Sequence, residues 1–288
     1  MRATRRRLER KLVWLLGSPR SGSTWLRHLL TDGSQVAGMS EPLVGMHLGA
    51  IASAAIPMWA PAGGLRIPDL RTDGEYFFSA EHAATWQPAL RKLLLDRLAP
   101  HVPRHARWFV VQEPNGSEGA DLLMSTLPRS SLLFLLRDGR DIVDSMLDAL
   151  GRGAWIDSAF GVGRDLDDRA RLEVVEHEAH RWVLRTRVTL RAFDQHPAER
   201  RRLVRYEDLL AQTSQELGAI LGWLGVTAPY EDRVAAHGFD AVPAELRGTG
   251  KFHRAASPGG WRENLSEDEQ AVCRRVMGET LELVGYPS

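Results

Sequence analysis

A glycine- and serine-rich segment between an apolar run and an amphipathic stretch could bind and activate an anion. Residues 12–16 (LVWLL) are typical of a buried strand, and apolar spacing resumes over residues 25–30 as on one face of a helix. A loop joining a strand to a helix directs backbone N–H groups toward the positive end of the helix dipole. The segment therefore predicts a strand, an anion-binding loop and a helix, with an ordinary surface turn as the alternative.

Residues 17–24 match the spacing of a phosphate-binding P-loop, G-x-x-x-x-G-[KST]-[ST], with one informative difference. Ser23 stands where the phosphate-gripping lysine of a nucleoside triphosphatase belongs, and Arg20 lies in the middle of the loop. The loop therefore indicates a phosphate-bearing ligand and argues against hydrolysis of a magnesium-bound nucleoside triphosphate.

Three further apolar runs each lead into polar or charged residues. In open α/β sheets, ligands bind beyond the carboxyl ends of the strands, and this is where Glu113, Arg137 and Tyr206 are expected. Glu113 is a candidate acid or base, and Tyr206 could stack on a base or fill a structural position. The runs are residues 108–111, 132–136 and 203–205.

Arg137 and Ser145 form a candidate second phosphate site. Ser145 lies two turns into the helix predicted after Arg137, so the two side chains could meet one phosphate if the helix doubles back over the loop. A solvated, internally paired charged turn is the alternative.

Glu41 is a second candidate carboxylate. It precedes Pro42, which predicts extended geometry at Glu41 and could aim the carboxylate at the mouth of the loop. A surface glutamate at a turn is the alternative.

Residues 247–262 form a basic, glycine-rich stretch with aromatic residues, which suits a second phosphate or a disordered crossing. Ser266, with Glu269 three places on, is typical of the N-terminus of a final helix. Residues 43–78 and 151–164 are predicted to form the wall or lid of an apolar pocket.

At 288 residues the chain could form one large α/β domain or two small ones, and the lack of a linker favours a single domain over residues 1–288, of which residues 1–11 are a solvated basic tail. The 37 basic and 37 acidic side chains balance, which argues against a nucleic-acid-coating protein. Cys273 is the only cysteine, and no apolar run suits a signal peptide or a membrane span, so we expect a cytoplasmic protein. His177 and His180 lack an evident third ligand, so no metal site is predicted.

Four segments, taken together and in order, resemble the sulfotransferases that use 3′-phosphoadenosine 5′-phosphosulfate (PAPS). GSPRSGSTW is similar to the family's 5′-phosphosulfate loop, and LLRDGRDIVDS to its 3′-phosphate strand, loop and helix. VRYEDLL resembles its adenine-side tyrosine segment, and GKFHRAASPGGWRENL its nucleotide-closing loop. The resemblance implies a P-loop-like α/β fold, a single domain with a central parallel sheet flanked by helices.

The resemblance also implies which residues bind PAPS. The first loop would hold the 5′-phosphosulfate, Arg137 and Ser145 the 3′-phosphate, and Tyr206 would lie near the adenine. The loop residues are Ser18, Arg20, Ser21, Gly22, Ser23, Thr24 and Trp25, and the closing loop would add Lys251, Gly260, Trp261 and Arg262.

Two departures from the family pattern bear on the subfamily. Cytosolic small-molecule members carry lysine at the position of Arg20 and a lysine-x-histidine base where this chain reads Gln112-Glu113-Pro114. Tyrosylprotein and bacterial biosynthetic members instead carry PRSG followed by a glutamate, which is where Glu41 stands. The resemblance therefore implies the second group, with Glu41 as the base and Glu113 as the alternative.

The implied reaction moves a sulfuryl group from PAPS to a hydroxyl of a small-molecule or lipid-like acceptor, without a metal. Glu41 would accept the hydroxyl proton, and Arg20 would stabilise charge on the leaving phosphate. A P-loop kinase of small molecules and a non-catalytic nucleotide-binding module remain as alternatives at this point. The sequence does not indicate the oligomeric state.

Overall fold

The computed structural model describes residues 2–31, 34–52, 81–254 and 256–287. Its five strands form one parallel sheet in the order β2-β3-β1-β4-β5. The strands are β1 (Leu12–Gly17), β2 (Val36–Ser40), β3 (Trp108–Gln112), β4 (Ser131–Leu136) and β5 (Arg201–Arg205).

Helices occupy the connections between the strands. Those before β3 are α1 (Arg2–Glu9), α2 (Ser23–Leu30), α3 (Val44–Ala52) and α4 (Ala83–Leu98). Those between β3 and β5 are α5 (Ala120–Thr126), α6 (Gly139–Leu150), α7 (Trp155–Phe160) and α8 (Asp168–Gln195). Those after β5 are α9 (Tyr206–Ala211), α10 (Thr213–Trp223), α11 (Glu231–His237), α12 (Trp261–Asn264) and α13 (Glu267–Leu283).

The sheet confirms the predicted α/β class with a parallel sheet flanked by helices. Every residue of β1 and of β4 is buried, as expected for parallel strands covered on both faces. β3 pairs with β1 from Phe109 opposite Leu12, and with β2 from Trp108 opposite Val36. β2 was missed by the sequence interpretation because its residues, VAGMS, are small, mixed and only partly buried at the edge of the sheet.

The chain divides into two compact units. The first comprises Met1–Gly17, Leu30–Phe134 and Val188–Leu203, and the second comprises Ser18–Leu29, Leu135–Arg187 and Val204–Ser288. The prediction of a single domain therefore remains a prediction.

The first unit is built on apolar side chains from β1 and β3 packed with helices α4 and α5. Trp14, Phe109, Leu95 and Leu123 are among the buried members of this core. Burying apolar surface of this kind is the main favourable contribution to folding.

The predicted solvated tail at residues 1–11 is wrong for residues 2–9, which form helix α1. Glu9 is fully buried, and its Oε1 accepts a hydrogen bond from the backbone N–H of Arg129 at 2.9 Å. Arg5 pairs with Asp96 of α4 through two hydrogen bonds of 2.6 and 2.9 Å. These long-range partners give a short basic helix a fixed position that its own sequence does not predict.

The second unit packs α6 against α8 and α13. A Cβ at Gly139, the first residue of α6, would lie 2.5 Å from the ring of Trp182 and 2.8 Å from Met277, so only glycine fits there. Arg171 of α8 pairs with Glu269 of α13 at 2.7 Å. In the part of the chain that the structure describes, no helix is long and apolar enough to cross a bilayer.

The predicted start of the final helix is confirmed as a capping box. Ser266 Oγ accepts from the backbone N–H of Glu269 at 3.3 Å, and Glu269 Oε2 accepts from the backbone N–H of Ser266 at 2.8 Å. This arrangement satisfies two helix-end N–H groups that otherwise lack a helical partner.

We expect Ser266→Ala to lower the free energy of unfolding by about 1 kcal/mol, because one N–H at the start of α13 loses its acceptor. Urea unfolding followed by circular dichroism measures the change. Ser214→Ala, at an exposed position in the first turn of α10, is the matched control and should stay within about 0.5 kcal/mol of the wild type. Equal stability of the two variants would contradict the cap's contribution.

Candidate functional site

The loop after β1 adopts a backbone that favours anion binding. Arg20 and Gly22 have φ angles of 68° and 89°, in the left-handed region, and α2 begins directly afterwards at Ser23. A non-glycine residue in this region carries strain of about 1–3 kcal/mol, which is typical of functional loops. The strand, loop and helix predicted from the sequence are confirmed.

Within the second unit, Gly22 lies directly against the ring of Tyr206. A Cβ at Gly22 would meet two ring carbons of Tyr206 at 2.7 Å, so both the φ angle and the contact require glycine. The Tyr206 ring also packs edge-on against Trp25, with 6.2 Å between ring centroids.

Arg137 completes this cluster from the end of β4. Its Nη1 donates to the backbone carbonyl of Arg20 at 2.8 Å, and its guanidinium carbon lies 4.3 Å from the centroid of the Tyr206 ring. Trp182 Nε1 donates to the carbonyl of Arg137 at 3.3 Å. Arg137 therefore fixes the backbone of the loop at its strained residue.

Tyr206 is only 5% exposed, with Gly22 and Arg137 against its ring. Burial raises the pKa of its hydroxyl, so the hydroxyl stays protonated. The contact of Tyr206 with an adenine stays a prediction.

Arg20 bridges segments that are far apart in sequence. Its Nε donates to Ser145 Oγ on α6 at 2.9 Å, and its Nη2 donates to the carbonyl of Phe252 at 3.0 Å. The guanidinium also lies 5.4 Å from the Trp155 ring centroid and 5.2 Å from that of Phe252. The sequence interpretation assigned Arg20 and Ser145 to different phosphates, whereas the structure joins them directly.

Burial, and then the neighbouring charge of Arg137, lower the pKa of Arg20 to about 10. Arg20 therefore remains cationic at neutral pH. A partly desolvated cation interacts more strongly with an anion than one in water does.

Three aspartates on one face of α6 hold the C-terminal loop. Asp141 accepts from the backbone N–H of Gly259 at 2.8 Å, and Asp148 accepts from that of Gly250 at 3.0 Å. Asp144 accepts from Arg254 Nη1 at 2.9 Å. The spacing of these aspartates places them on one helix face.

The predicted closing-loop residues take different positions around this contact. Trp261 is buried, with the guanidinium carbon of Arg140 4.2 Å and that of Arg262 4.6 Å from the centroid of its ring. Lys251 and Arg262 are exposed, and the carbonyl of Gly260, directly before α12, accepts from the backbone N–H of Glu263 at 3.1 Å. Trp261 also contacts α6 through its backbone N–H, which donates to Asp141 at 3.5 Å. The sequence interpretation did not single out Phe252, which contacts Arg20, or Arg254, which contacts Asp144 of α6.

A second group of polar residues lies in the first unit, where β2 and β3 end. Glu41 Oε2 accepts from Asn115 Nδ2 at 2.8 Å, and the Glu41 N–H donates to the carbonyl of Gln112 at 2.8 Å. Asn115 was not predicted from the sequence, although its position just beyond a strand end was a usable signal.

The predicted extended geometry at Glu41 is wrong. Glu41 has φ 44° and Leu43 has φ 59°, so two left-handed residues flank Pro42. The bonds to Gln112 and Asn115 offset the strain of this turn.

Glu113 is fully buried beside this turn. Its Oε1 accepts from the backbone N–H of Val44 at 2.9 Å. Burial raises the pKa of Glu113 to about 7, backbone N–H groups oppose that rise, and the charge of Glu41 adds to it. Glu113 is therefore largely protonated below about pH 7.

The structure describes only part of the two segments predicted to form the pocket wall or lid. Residues 53–78 lie outside the described residues, so that part of the prediction stays open. Residues 151–164 contain helix α7, where the Trp155 ring packs edge-on against Phe160 and Phe252. Over the described residues, no group of three or more metal-ligating side chains is found.

The sequence matches the model of the Sulfotransferase family over residues 13–232. A comparison with curated proteins gives no match.

Several solved structures share the fold at low sequence identity. Mouse sulfotransferase SULT7A1 complexed with PAP is 10% identical, with a TM-score of 0.53 over 95% of this chain and 85% of that chain. Sulfotransferase STF9 from Mycobacterium avium is 16% identical, with a TM-score of 0.53 over 96% of this chain and 77% of that chain. Retinol dehydratase in complex with androsterone and PAP is 15% identical, with a TM-score of 0.51 over 95% of this chain and 81% of that chain.

These likenesses support the fold, while the family model covers well over half of the 288 residues and includes the strained loop, Arg137, Ser145 and Tyr206. The protein belongs to the sulfotransferase family.

Proposed function

We propose that this protein is a PAPS-dependent O-sulfotransferase that forms a sulfate ester on a small-molecule or lipid-like acceptor and releases 3′-phosphoadenosine 5′-phosphate (PAP). The proposal rests chiefly on one observation. Arg137 holds the Arg20 carbonyl while Arg20 holds Ser145, so the loop and the proposed 3′-phosphate segment form one hydrogen-bonded cluster. A nucleotide with phosphates at both ribose ends suits such a cluster.

The residues present fit a phosphate-bearing nucleotide. Ser21 Oγ and Arg137 Nε are buried without a hydrogen-bond partner among the described residues. Buried polar groups are rarely left unpaired, and phosphate oxygens would accept from both. Arg137 and Ser145 would hold the 3′-phosphate, and the N–H groups of the loop would hold the 5′ end.

PAPS, when bound, supplies the sulfuryl group and the phosphate leaving group. Transfer of this kind passes through a loose in-line transition state, so the protein contributes mainly positioning and charge stabilisation. Arg20, cationic at neutral pH and fixed by Ser145, would stabilise negative charge as it develops on the leaving oxygen.

An apolar acceptor is supported by the aromatic side chains near Arg20. Phe160 is 69% exposed and Phe252 is 40% exposed, and both rings pack against Trp155. Exposed aromatic groups beside a cation are typical of a surface that binds an apolar ligand.

Glu41 is the proposed general base. Its carboxylate is half-buried and positioned by Asn115, and it follows the end of β2, where ligand-binding residues of parallel sheets concentrate. Glu113 is less suited, because it is fully buried and one carboxyl oxygen is engaged by the Val44 N–H.

We predict that Glu41→Gln lowers turnover by about 10²- to 10⁴-fold, because the acceptor hydroxyl loses its proton acceptor. Radiolabelled PAPS and a panel of phenols, alcohols and sugars identify a working acceptor, on which the variant is assayed. PAP affinity should stay close to that of the wild type, and the exposed control Glu263→Gln should keep full activity. Near-normal turnover of Glu41→Gln would contradict the assignment.

We also predict that Glu113 makes stability depend on pH. Its folded-state pKa of about 7 lies above the ordinary 4.5, so the folded protein retains a proton that the unfolded chain releases. Stability from this group is therefore full below pH 4.5 and is lost as the pH rises through about 7.

Glu113→Gln should remove this dependence. The free energy of unfolding of the variant minus that of the wild type should therefore be more positive at pH 8 than at pH 5. Urea unfolding at both pH values measures the difference, and turnover should persist if Glu41 is the base. An unchanged difference between the two pH values would contradict the assigned pKa, and lost turnover with intact folding would make Glu113 the base.

A further inference from the structure

The first unit contains a basic cleft at the junction of α1, α4 and the turn after α5. It has a volume of about 600 Å³, and five of its lining side chains are Arg5, Arg6, Arg91, Lys92 and Arg129. None of the described residues that line it is acidic. The volume falls within the range of small-molecule sites, but the lining is far more basic than that of an ordinary apolar pocket.

Glu9, a buried carboxylate, pairs with two of the five cations. It is fully buried and pairs with Arg91, and its Oε2 lies 4.0 Å from Arg129 Nη1. The side chains of Arg91 and Arg129 remain 25% and 39% exposed.

Asp96 pairs with two of the other three cations. Its Oδ1 lies 2.6 Å from Arg5 Nε, and its Oδ2 lies 3.2 Å from Lys92 Nζ. Arg6 is exposed on the same helix as Arg5. Two carboxylates thus position four cations, which lowers the entropy cost of gathering them around a ligand.

The charge balance at the cleft favours an anion with several charges. Five basic side chains against two carboxylates leave three positive charges. Planar guanidinium groups match the oxygens of phosphate in paired hydrogen bonds. A single carboxylate ligand would leave most of this charge unmatched.

A hydroxyl group adds a possible donor at the cleft. Thr126 lines it and is only 3% exposed, and its Oγ1 has no hydrogen-bond partner among the described residues. Buried hydroxyls are normally paired, and a phosphate oxygen would serve as the acceptor.

We propose that the α1–α4 cleft is a binding site for a small ligand that carries two or more phosphate groups. The cations line a concave surface, and four of the five pair with Glu9 or Asp96, which suits a compact ligand better than a flat surface. The cleft shares no lining residue with the P-loop cluster, and the proposal does not rest on the proposed sulfuryl transfer.

Isothermal titration of the whole protein with tripolyphosphate, in the presence of saturating PAP, tests the proposal. The variant Arg6→Glu/Lys92→Glu reverses two exposed cleft charges and spares Glu9 and its partners. We expect it to weaken tripolyphosphate binding by roughly tenfold or more.

The matched control is Arg7→Glu/Arg97→Glu, which makes the same charge change on α1 and α4 at exposed positions outside the cleft. It should bind tripolyphosphate within about twofold of the wild type. The two double variants make the same charge change, one inside the cleft and one outside it. A difference in their affinity for tripolyphosphate therefore reports on the cleft whether or not PAP occupies the P-loop.

Three results would overturn the proposal. The first is no binding of tripolyphosphate to the wild type, and the second is equal weakening in both double variants, which would mean diffuse surface charge. The third is binding only to phosphatidylglycerol vesicles and not to free tripolyphosphate, which would make the surface a membrane contact.

Discussion

The hydrogen bond from Arg137 to the backbone carbonyl of Arg20 is the interaction on which the rest of the candidate site depends. It fixes a loop in which Arg20 has a left-handed backbone conformation. The same loop can approach Tyr206 only because residue 22 is glycine. Once the backbone is fixed, the Arg20 side chain can reach Ser145 and the carbonyl of Phe252. The cation of this loop is therefore Arg20, whose backbone is strained, and not the lysine of a nucleoside triphosphatase P-loop.

Helix α6 connects this arrangement to the C-terminal loop. Its Asp141, Asp144 and Asp148 hold backbone and arginine groups of residues 250–259, and its Ser145 holds Arg20. One face of one helix therefore positions both the P-loop arginine and the C-terminal loop. A substitution on that face is expected to affect both, so such variants are poor tests of either role alone.

Much of the fold was predictable because its signals are local. The apolar runs of β1 and β4, the glycine and serine spacing of the loop, and the Ser266 capping box each lie within a few residues of sequence. What was missed depends on distant partners. The helical state of residues 2–9 depends on Asp96 and Arg129, and the left-handed turn at Glu41 depends on Asn115 and Gln112.

The most direct measurement is the difference in affinity between PAP and 5′-AMP, which differ by the 3′-phosphate, in the wild type and in Arg137→Ala. We predict that the wild type binds PAP about tenfold to a hundredfold more tightly than AMP. Arg137→Ala should lose most of this difference, and AMP should also bind more weakly because the Arg20 carbonyl loses its hydrogen-bond donor. Equal affinity of the wild type for PAP and AMP, or tighter binding of magnesium ATP than of PAP, would contradict it.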